Sequence, residues 1–431
     1  MKIIADLHLH SRYSRACSTQ LNIANIEKWA RVKGLGLVGT GDFCHPKWIE
    51  ELKKELTEDG TGILRTKSGF PFVLQNEISL IYTQGRGRRI HLVLLAPDFA
   101  TVDKITKYLL TKGRIDYDGR PIFNITCIEF VKDMKAISDD IEIIPAHVWT
   151  PWFGLFGSKT GFDTVEQAFG EQSKHIHALE TGLSSDPEMN WQLSNLDGYQ
   201  LVSFSDSHSF WPWRIGREST VFEFDELTYK NLIKAIRTGE GLVETIEVDP
   251  NYGKYHFDGH RNCNISFDPA ESKKHNGICP VCKKPLTIGV LNRVEDLADR
   301  KFGFKSERGK PFKRIIPLHE IISLFLGAGI ATQKVWNVYN KLLSLGANEF
   351  DVLLSVSREN LLKAADEALV DLIIKNREGK LFVKAGYDGE YGVLQIGDKP
   401  AQIKEEKQNN NCDDVEEVPV SGPQKGLGDF F

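Results

Sequence analysis

Residues 2–10 read Lys2-Ile3-Ile4-Ala5-Asp6-Leu7-His8-Leu9-His10, and the fold turns on them. The first five form a short buried-strand pattern. Alternate residues of a strand share a face, so His8 and His10 project together from its C-terminal end. Barrel enzymes carry their chemistry at that end. A His-x-His pair alone means little; its weight comes from what recurs downstream.

Through residue 245, short apolar runs alternate with amphipathic segments. Strands are expected at Lys2–Asp6, Leu35–Thr40, Phe72–Glu77, Ile90–Ala96, Ile141–Ala146, Ile176–Glu180 and Leu201–Ser205. Helices are expected between them, among others at Ile23–Lys33, Pro46–Glu55, Asp103–Lys112 and Ile128–Ser138. This alternation predicts an α/β fold with a parallel sheet, and about seven strands favour closure into a barrel.

Candidate ligands fall at or near the strand ends. Asp42 and His45 follow the second strand, Glu77 closes the third and His91 lies in the fourth. His147 follows the fifth, and Asp206 and His208 follow the last as Ser-Asp-Ser-His. Carboxylates gathered this closely would repel unless cations lay between them. Mixed imidazole and carboxylate donors suit Zn²⁺, Mn²⁺ or iron, with Mg²⁺ as a further candidate. The sequence shows no Gly-rich phosphate loop and no nucleophile elbow. Metal-activated water attacking phosphorus is therefore the expected chemistry.

From residue 250 the texture changes. His260-x2-Cys263 and Cys279-x2-Cys282 form two close pairs with zinc-ribbon spacing, which predicts a structural Zn²⁺. His275 is the alternative fourth ligand. Cys17, Cys44, Cys127 and Cys412 are scattered, as reduced thiols would be. Net charge is −5, but residues 251–315 hold fourteen Lys/Arg against seven Asp/Glu. Such local excess suits phosphate contact better than the overall charge suggests, although a solvated basic linker would read the same way. Helices follow at Val294–Lys301, Leu318–Leu326, Thr332–Leu343, Phe350–Ser355 and Arg358–Lys375. No apolar run approaches the ~20 residues of a membrane span, and no signal-peptide pattern is present. The expected setting is the cytoplasm, in association with the nucleoid.

The expected organisation is a barrel (1–245), a Cys/His zinc module (250–295), a helical domain (296–390), an acidic flexible linker (391–423) and a terminal motif (424–431). In that motif Gln424, Leu427, Phe430 and Phe431 closely resemble the PIP box that docks on PCNA-type sliding clamps. One helical turn brings the three apolar side chains to one side, with Gln424 as polar anchor. A frayed apolar terminus is the plainer alternative.

The ordered His/Asp/Glu set resembles the PHP (polymerase and histidinol phosphatase) superfamily, whose members adopt a distorted (β/α)7 barrel holding up to three metals. The resemblance implies that His8, His10, Glu77 and Asp206 form the catalytic set and bind a first ion. Glu77, His91 and His147 would bind a second, leaving Asp42, His45 and His208 for a third. Many PHP enzymes carry a further histidine soon after His-x-His, where this chain has Ser11-Arg12-Tyr13-Ser14-Arg15-Ala16. That departure bears on the third position.

Barrel, ribbon, helices and PIP box in this order closely resemble the endonuclease Q family. This implies incision of DNA, double- or single-stranded, on the 5′ side of deaminated bases (uracil, hypoxanthine, xanthine) and abasic sites, in an archaeal-type repair context. Such an enzyme inspects a base most easily outside the stack. Trp149, Trp152 and Phe153 follow His147, and Trp211 and Trp213 follow His208. They either flank a flipped-base pocket or pack the barrel top. Arg86, Arg88 and Arg89 either grip the DNA backbone or form a solvated turn. The competing functions are a PHP phosphatase or 3′–5′ exonuclease, and a non-catalytic clamp-bound DNA adaptor.

Overall fold

The computed structural model describes residues 1–396 and 399–400. Most of the expected linker and the whole Gln424–Phe431 motif lie outside the described residues.

The fold is mixed α/β around one large sheet. Its first strands are β1 (Lys2–Asp6), β2 (Leu37–Gly39), β3 (Pro71–Gln84), β4 (Arg86–Ala96) and β5 (Glu142–Pro145). β6 (Ala178–Glu180) and β7 (Gln200–Val202) pair with each other, and β8 (Ser219–Glu223) and β9 (Leu242–Glu247) extend the sheet on the far side of β1. Helices Ile23–Lys33 and Pro46–Glu55 form where the sequence predicts them, the first capped by the Asn22 side chain.

Strand direction differs from expectation. β1–β2 and β2–β3 run parallel, but β3–β4, β4–β5, β1–β8 and β8–β9 run antiparallel. The cause is a long hairpin: β3 and β4 pair along eleven registers and turn at Gly85, whose φ of +71° is a conformation that glycine adopts freely. Glu77 therefore lies mid-strand rather than at a strand end. Closure by strand ladders is not found among the described residues. β5 does not pair with β6, nor β7 with β8; polar side chains bridge both seams. The His147 amide donates to Glu180 Oε2 (2.7 Å), and the Ser203 amide donates to Thr220 Oγ1 (2.9 Å).

The Cys-containing segment forms a small hairpin, β10 (Asp258–His260) with β11 (Ile265–Phe267). β12 (Phe312–Arg314) then joins the edge of the large sheet beside β9. Helices follow at Leu318–Leu326, Gln333–Leu343, Glu349–Leu354, Arg358–Leu361 and Glu367–Arg377. The expected Arg358–Lys375 helix is two, because the chain turns extended at Asp366 before restarting. These helices are tied to the first helix by a buried ion pair, Lys33 Nζ to Glu349 Oε1 at 2.8 Å. Among the described residues no helix is long and apolar enough to cross a membrane.

Candidate metal centre

Asp6, the last residue of β1, is buried and accepts from the Ser205 and Gly216 amides at 3.0 and 2.8 Å. Burial pushes its carboxyl up to about 6. This contact draws the Ser203–His208 segment beside β1, where the His10 amide donates to the Ser207 carbonyl at 3.0 Å. His8, His10 and Asp206 thereby meet at one end of the sheet.

Glu77 joins them from the middle of β3, and its two oxygens face different groups. Oε2 lies 3.2 Å from His10 Nε2 and 3.6 Å from His8 Nε2. Oε1 lies 2.7 Å from His91 Nδ1 and 3.2 Å from His147 Nε2. Asp206 Oδ1 completes the first group at 3.2 Å from His10 Nε2 and 3.5 Å from His8 Nε2. In each set, His8/His10/Glu77/Asp206 and Glu77/His91/His147, one ligand atom per residue lies within 4.8 Å of the others.

The donor chemistry fits divalent cations. His8 Nδ1 donates to Glu180 (2.9 and 3.1 Å), which leaves Nε2 aimed into the cluster, buried and without a hydrogen-bond partner. His10 Nδ1 faces Asp42 Oδ1 at 3.0 Å and Ser14 Oγ at 3.1 Å, again presenting Nε2 inward. Carboxylates behind ligating imidazoles fix ring orientation and raise ligand basicity. Burial alone would lower both histidines, yet Glu180, Asp206 and Glu77 around His8, and Asp42, Asp206 and Glu77 around His10, hold them well above the ordinary range. His91 is brought down to about 3, chiefly by burial, and so keeps a free lone pair. Against its own burial, Glu77 is held well below the carboxylate range by His91, Arg120 and His8. Carboxylates and imidazoles gathered this closely favour a positive charge among them.

Several anticipated ligands stand elsewhere. Asp42 lies behind His10, accepting from the Ser11 amide (2.5 Å) and Ser14 Oγ (2.9 Å). His45 stacks on Tyr13 at 4.4 Å, and His208 lies against the His10 ring at 4.3 Å with Nδ1 facing the Asp206 carbonyl. The three do not converge on one point. Backbone strain does gather here: Asp42, His147, Phe153 and Asp206 all have positive φ, between 29° and 65°. Two contributors went unread in the sequence. Glu180 closes an expected strand but carries no motif, and Arg120, whose Nη1 lies 3.1 Å from Glu77 Oε2, sits in a loop.

The aromatic candidates divide. Trp149 is buried and donates to Asn190 Oδ1 at 2.8 Å, and Trp213 is buried against Trp336 and His319. Trp211, 37% exposed, stacks on Trp213 and touches Trp29. Trp149 and Trp213 are thus taken up in packing, while Trp211 keeps more than a third of its surface exposed. Phe153 lies over His91 at 4.2 Å, and Trp152 meets Tyr255 edge-on at 5.4 Å. Arg86 and Arg88 turn inward to the Gly161 carbonyl, the first at 2.9 Å, while Arg89 stands over Phe153 at 5.7 Å. They pin the loop after His147 instead of forming a solvated turn.

In the Cys segment, His260, Cys263, Cys279 and Cys282 converge, with His260 Nδ1 3.3 Å from Cys282 Sγ. His275 is not among them; it stacks on Phe267 and pairs with Glu271. Lys283 adopts φ +63° and returns its amide to the Cys279 carbonyl at 3.0 Å, closing the knuckle between the two thiols. Four soft donors so arranged suit a closed tetrahedral Zn²⁺ site.

Against solved structures, the chain is similar to a lesion-specific endonuclease, PfuEndoQ of Pyrococcus furiosus. The two are 32% identical with a TM-score of 0.83, over 92% of this chain and 96% of the other. The chain belongs to the endonuclease Q family. A second endonuclease Q structure, crystallised with a 27-mer duplex bearing an abasic lesion at the active site, matches at 31% identity and TM-score 0.83 over 95% of this chain. The family model for the MJ0043 C-terminal domain matches residues 317–380 of this chain, within its helical part. Among curated proteins, MJ0043 of Methanocaldococcus jannaschii is 31% identical over 297 residues, which is 68% of this chain but 36% of that protein. The chain thus spans about a third of that relative's length. YqxK of Bacillus subtilis is 28% identical over 91% of this chain and 99% of its own.

Proposed function

We propose that this protein is a metal-dependent DNA endonuclease that hydrolyses the phosphodiester on the 5′ side of deaminated bases and abasic sites. The observation that carries the reading is Glu77, which offers one oxygen to each of two imidazole groups in a chain similar over nearly its whole length to endonuclease Q.

His8, His10, Glu77 and Asp206 would hold one divalent cation and Glu77, His91 and His147 another, on a PHP-type barrel wall. Cations there would stabilise charge on the phosphoryl oxygens and make a water more acidic. Glu180 and Asp42 orient the rings of His8 and His10, and Arg120 adds positive charge beside Glu77. The loop after His147 presents Phe153 beside the cluster, partly buried and backed by Arg89, where an extruded base could stack. A zinc module over 250–295 and helices over 296–390 would frame the DNA. The segment 391–423 would tether Gln424–Phe431 to a PCNA-type clamp, in a cytoplasmic, nucleoid-associated setting.

The test is incubation of the full chain with 5′-labelled strands and duplexes bearing one uracil, hypoxanthine or abasic site, with and without chelator. A single cut 5′ to the lesion, leaving 3′-hydroxyl and 5′-phosphate ends and abolished by chelator, is the expected result. Progressive shortening from the 3′ end would mean an exonuclease, and lesion binding without cutting an adaptor.

A further inference from the structure

Residues 300–314 carry seven lysines and arginines against one acid, Glu307. Three of the seven turn inward: Arg300 grips Asp197, Lys313 pairs with Glu244, and Arg314 pairs with Asp186 and Glu188. The side chains of Lys301, Lys305 and Lys310 form no hydrogen bond or ion pair among the described residues, and the first two residues are exposed. Between them stand Phe302 and Phe304, 68% and 40% exposed. Phe302 is the most exposed large apolar side chain of the described residues.

This segment is anchored. The amides of Asp299 and Arg300 donate to the Gln192 carbonyl at 3.1 and 3.0 Å, and Ser306 Oγ donates to Asp197 at 3.0 Å. Gly309 presses on Trp191 so closely that a Cβ would come within 2.6 Å of the indole. The Arg300 guanidinium lies over the Phe304 ring at 4.2 Å. Gly303, at φ +84°, turns the chain between the two phenyl groups. A groove beside the segment has Trp191 and Tyr199 in its lining together with Arg308 and Lys310.

Aromatic faces and ammonium groups interleaved on a fixed backbone match one ligand chemistry. Unpaired nucleic acid offers bases that stack on rings and phosphates that pair with lysines, and every base has such a face. A duplex offers the phosphates but hides the base faces. We infer that Lys301–Lys310 is a docking platform for an unpaired DNA strand, separate from the ligand cluster. The inference rests on the reading of this protein as a DNA enzyme and deepens it by naming the form of DNA held outside the cutting site.

The test compares binding of a short oligothymidylate and of an undamaged duplex of equal length, by the wild-type chain and two variants, over a series of salt concentrations. Phe302→Ala/Phe304→Ala should weaken oligothymidylate binding roughly tenfold and duplex binding little. Lys301→Ala/Lys305→Ala/Lys310→Ala should reduce the salt slope for the oligothymidylate by about two, given ~0.7 per phosphate contact. Phe302→Trp should retain wild-type binding, which a purely structural role for the ring would not explain. Both alanine variants should keep wild-type melting and full nicking of a saturating short abasic duplex. Unchanged oligothymidylate affinity in the phenylalanine variant, or an equal loss on duplex, overturns the inference. If the wild type does not nick yet shows the oligothymidylate effects, the endonuclease reading fails and the platform stands.

Discussion

The chain gathers metal-type donors in two regions by opposite means. In the Cys/His module four ligands come from two tight turns within twenty-three residues, His260 to Cys282, and three of them are thiols. In the sheet, the ligands span His8 to Asp206 and come from five separate stretches of chain. The module's ligands close on one point, which suits a structural ion. The sheet's ligands share Glu77, are backed by Glu180 and Asp42, and leave a face toward the loop bearing Phe153. The two regions touch through Arg293, which donates to the Phe156 and Phe162 carbonyls at 2.9 and 3.1 Å, and through Ser158 Oγ on the Ile288 carbonyl. One set of donors is closed on itself, and the other is open on one side.

That contrast breaks most sharply at Asp206. Asp206→Asn removes a ligand of the reacting region and should lower nicking of an abasic duplex roughly 10³-fold, the equivalent of several kcal/mol of charge stabilisation. Activity within tenfold of wild type would remove Asp206 from the site. Glu180→Gln keeps every ligand but loosens His8, so a fall of about 10–100-fold in activity or metal affinity is expected, partly restored by excess metal. No change would show that the carboxylate behind His8 is idle. Cys279→Ala tests the other side. It should abolish stoichiometric zinc binding and expose the module to protease, yet cost nicking less than about tenfold, or ~1.4 kcal/mol. A loss as deep as that of Asp206→Asn would mean that the module is part of the reacting region.

The smallest effect concerns the acids beneath the sheet centre. Glu218 and Glu247 are buried and both accept from Ser203 Oγ, at 3.2 and 2.9 Å. Burial, then Glu247, holds Glu218 well above the carboxylate range, and burial raises Glu247 as well. A raised folded-state value means that the folded chain binds the proton more tightly than the unfolded one. The stabilisation is then complete below the ordinary carboxylate range and is lost as pH rises above it, by up to about 1.4 kcal/mol per pH unit and group. Glu247→Gln should therefore melt closer to, or above, wild type at pH 8 than at pH 5. The same difference in melting temperature from wild type at the two pH values would rule out a raised carboxyl at Glu247.

Legibility from sequence followed the same divide. The module could be read because its ligands are neighbours in the chain, and only the choice between His260 and His275 needed three dimensions. In the sheet, His8, His10 and Asp206 announced themselves by strand-end position. Glu180 and Arg120 did not, since their roles depend on which strands become neighbours. Asp42 was read as a ligand for a third ion, because sequence position could not show that it lies behind the His10 ring. Antiparallel direction escaped because the apolar pattern of β3 and β4 is the same in either orientation. Trp211 and Trp213 read equally well as base contacts and as packing; their contacts with Trp336, far along the chain, could not be read from the sequence.

The seams between β5 and β6 and between β7 and β8 carry no main-chain ladder; apart from the Val148 amide on the Glu180 carbonyl, they are bridged through side-chain oxygens of Glu180 and Thr220. Main-chain ladders are indifferent to residue identity, whereas contacts such as Thr220 with Ser203, or Asp6 with Ser205, exist only for particular residues. The wall around the donor cluster can therefore be reshaped one substitution at a time with every ligand left in place. Relatives could diverge in which damaged DNA they admit while keeping the same chemistry.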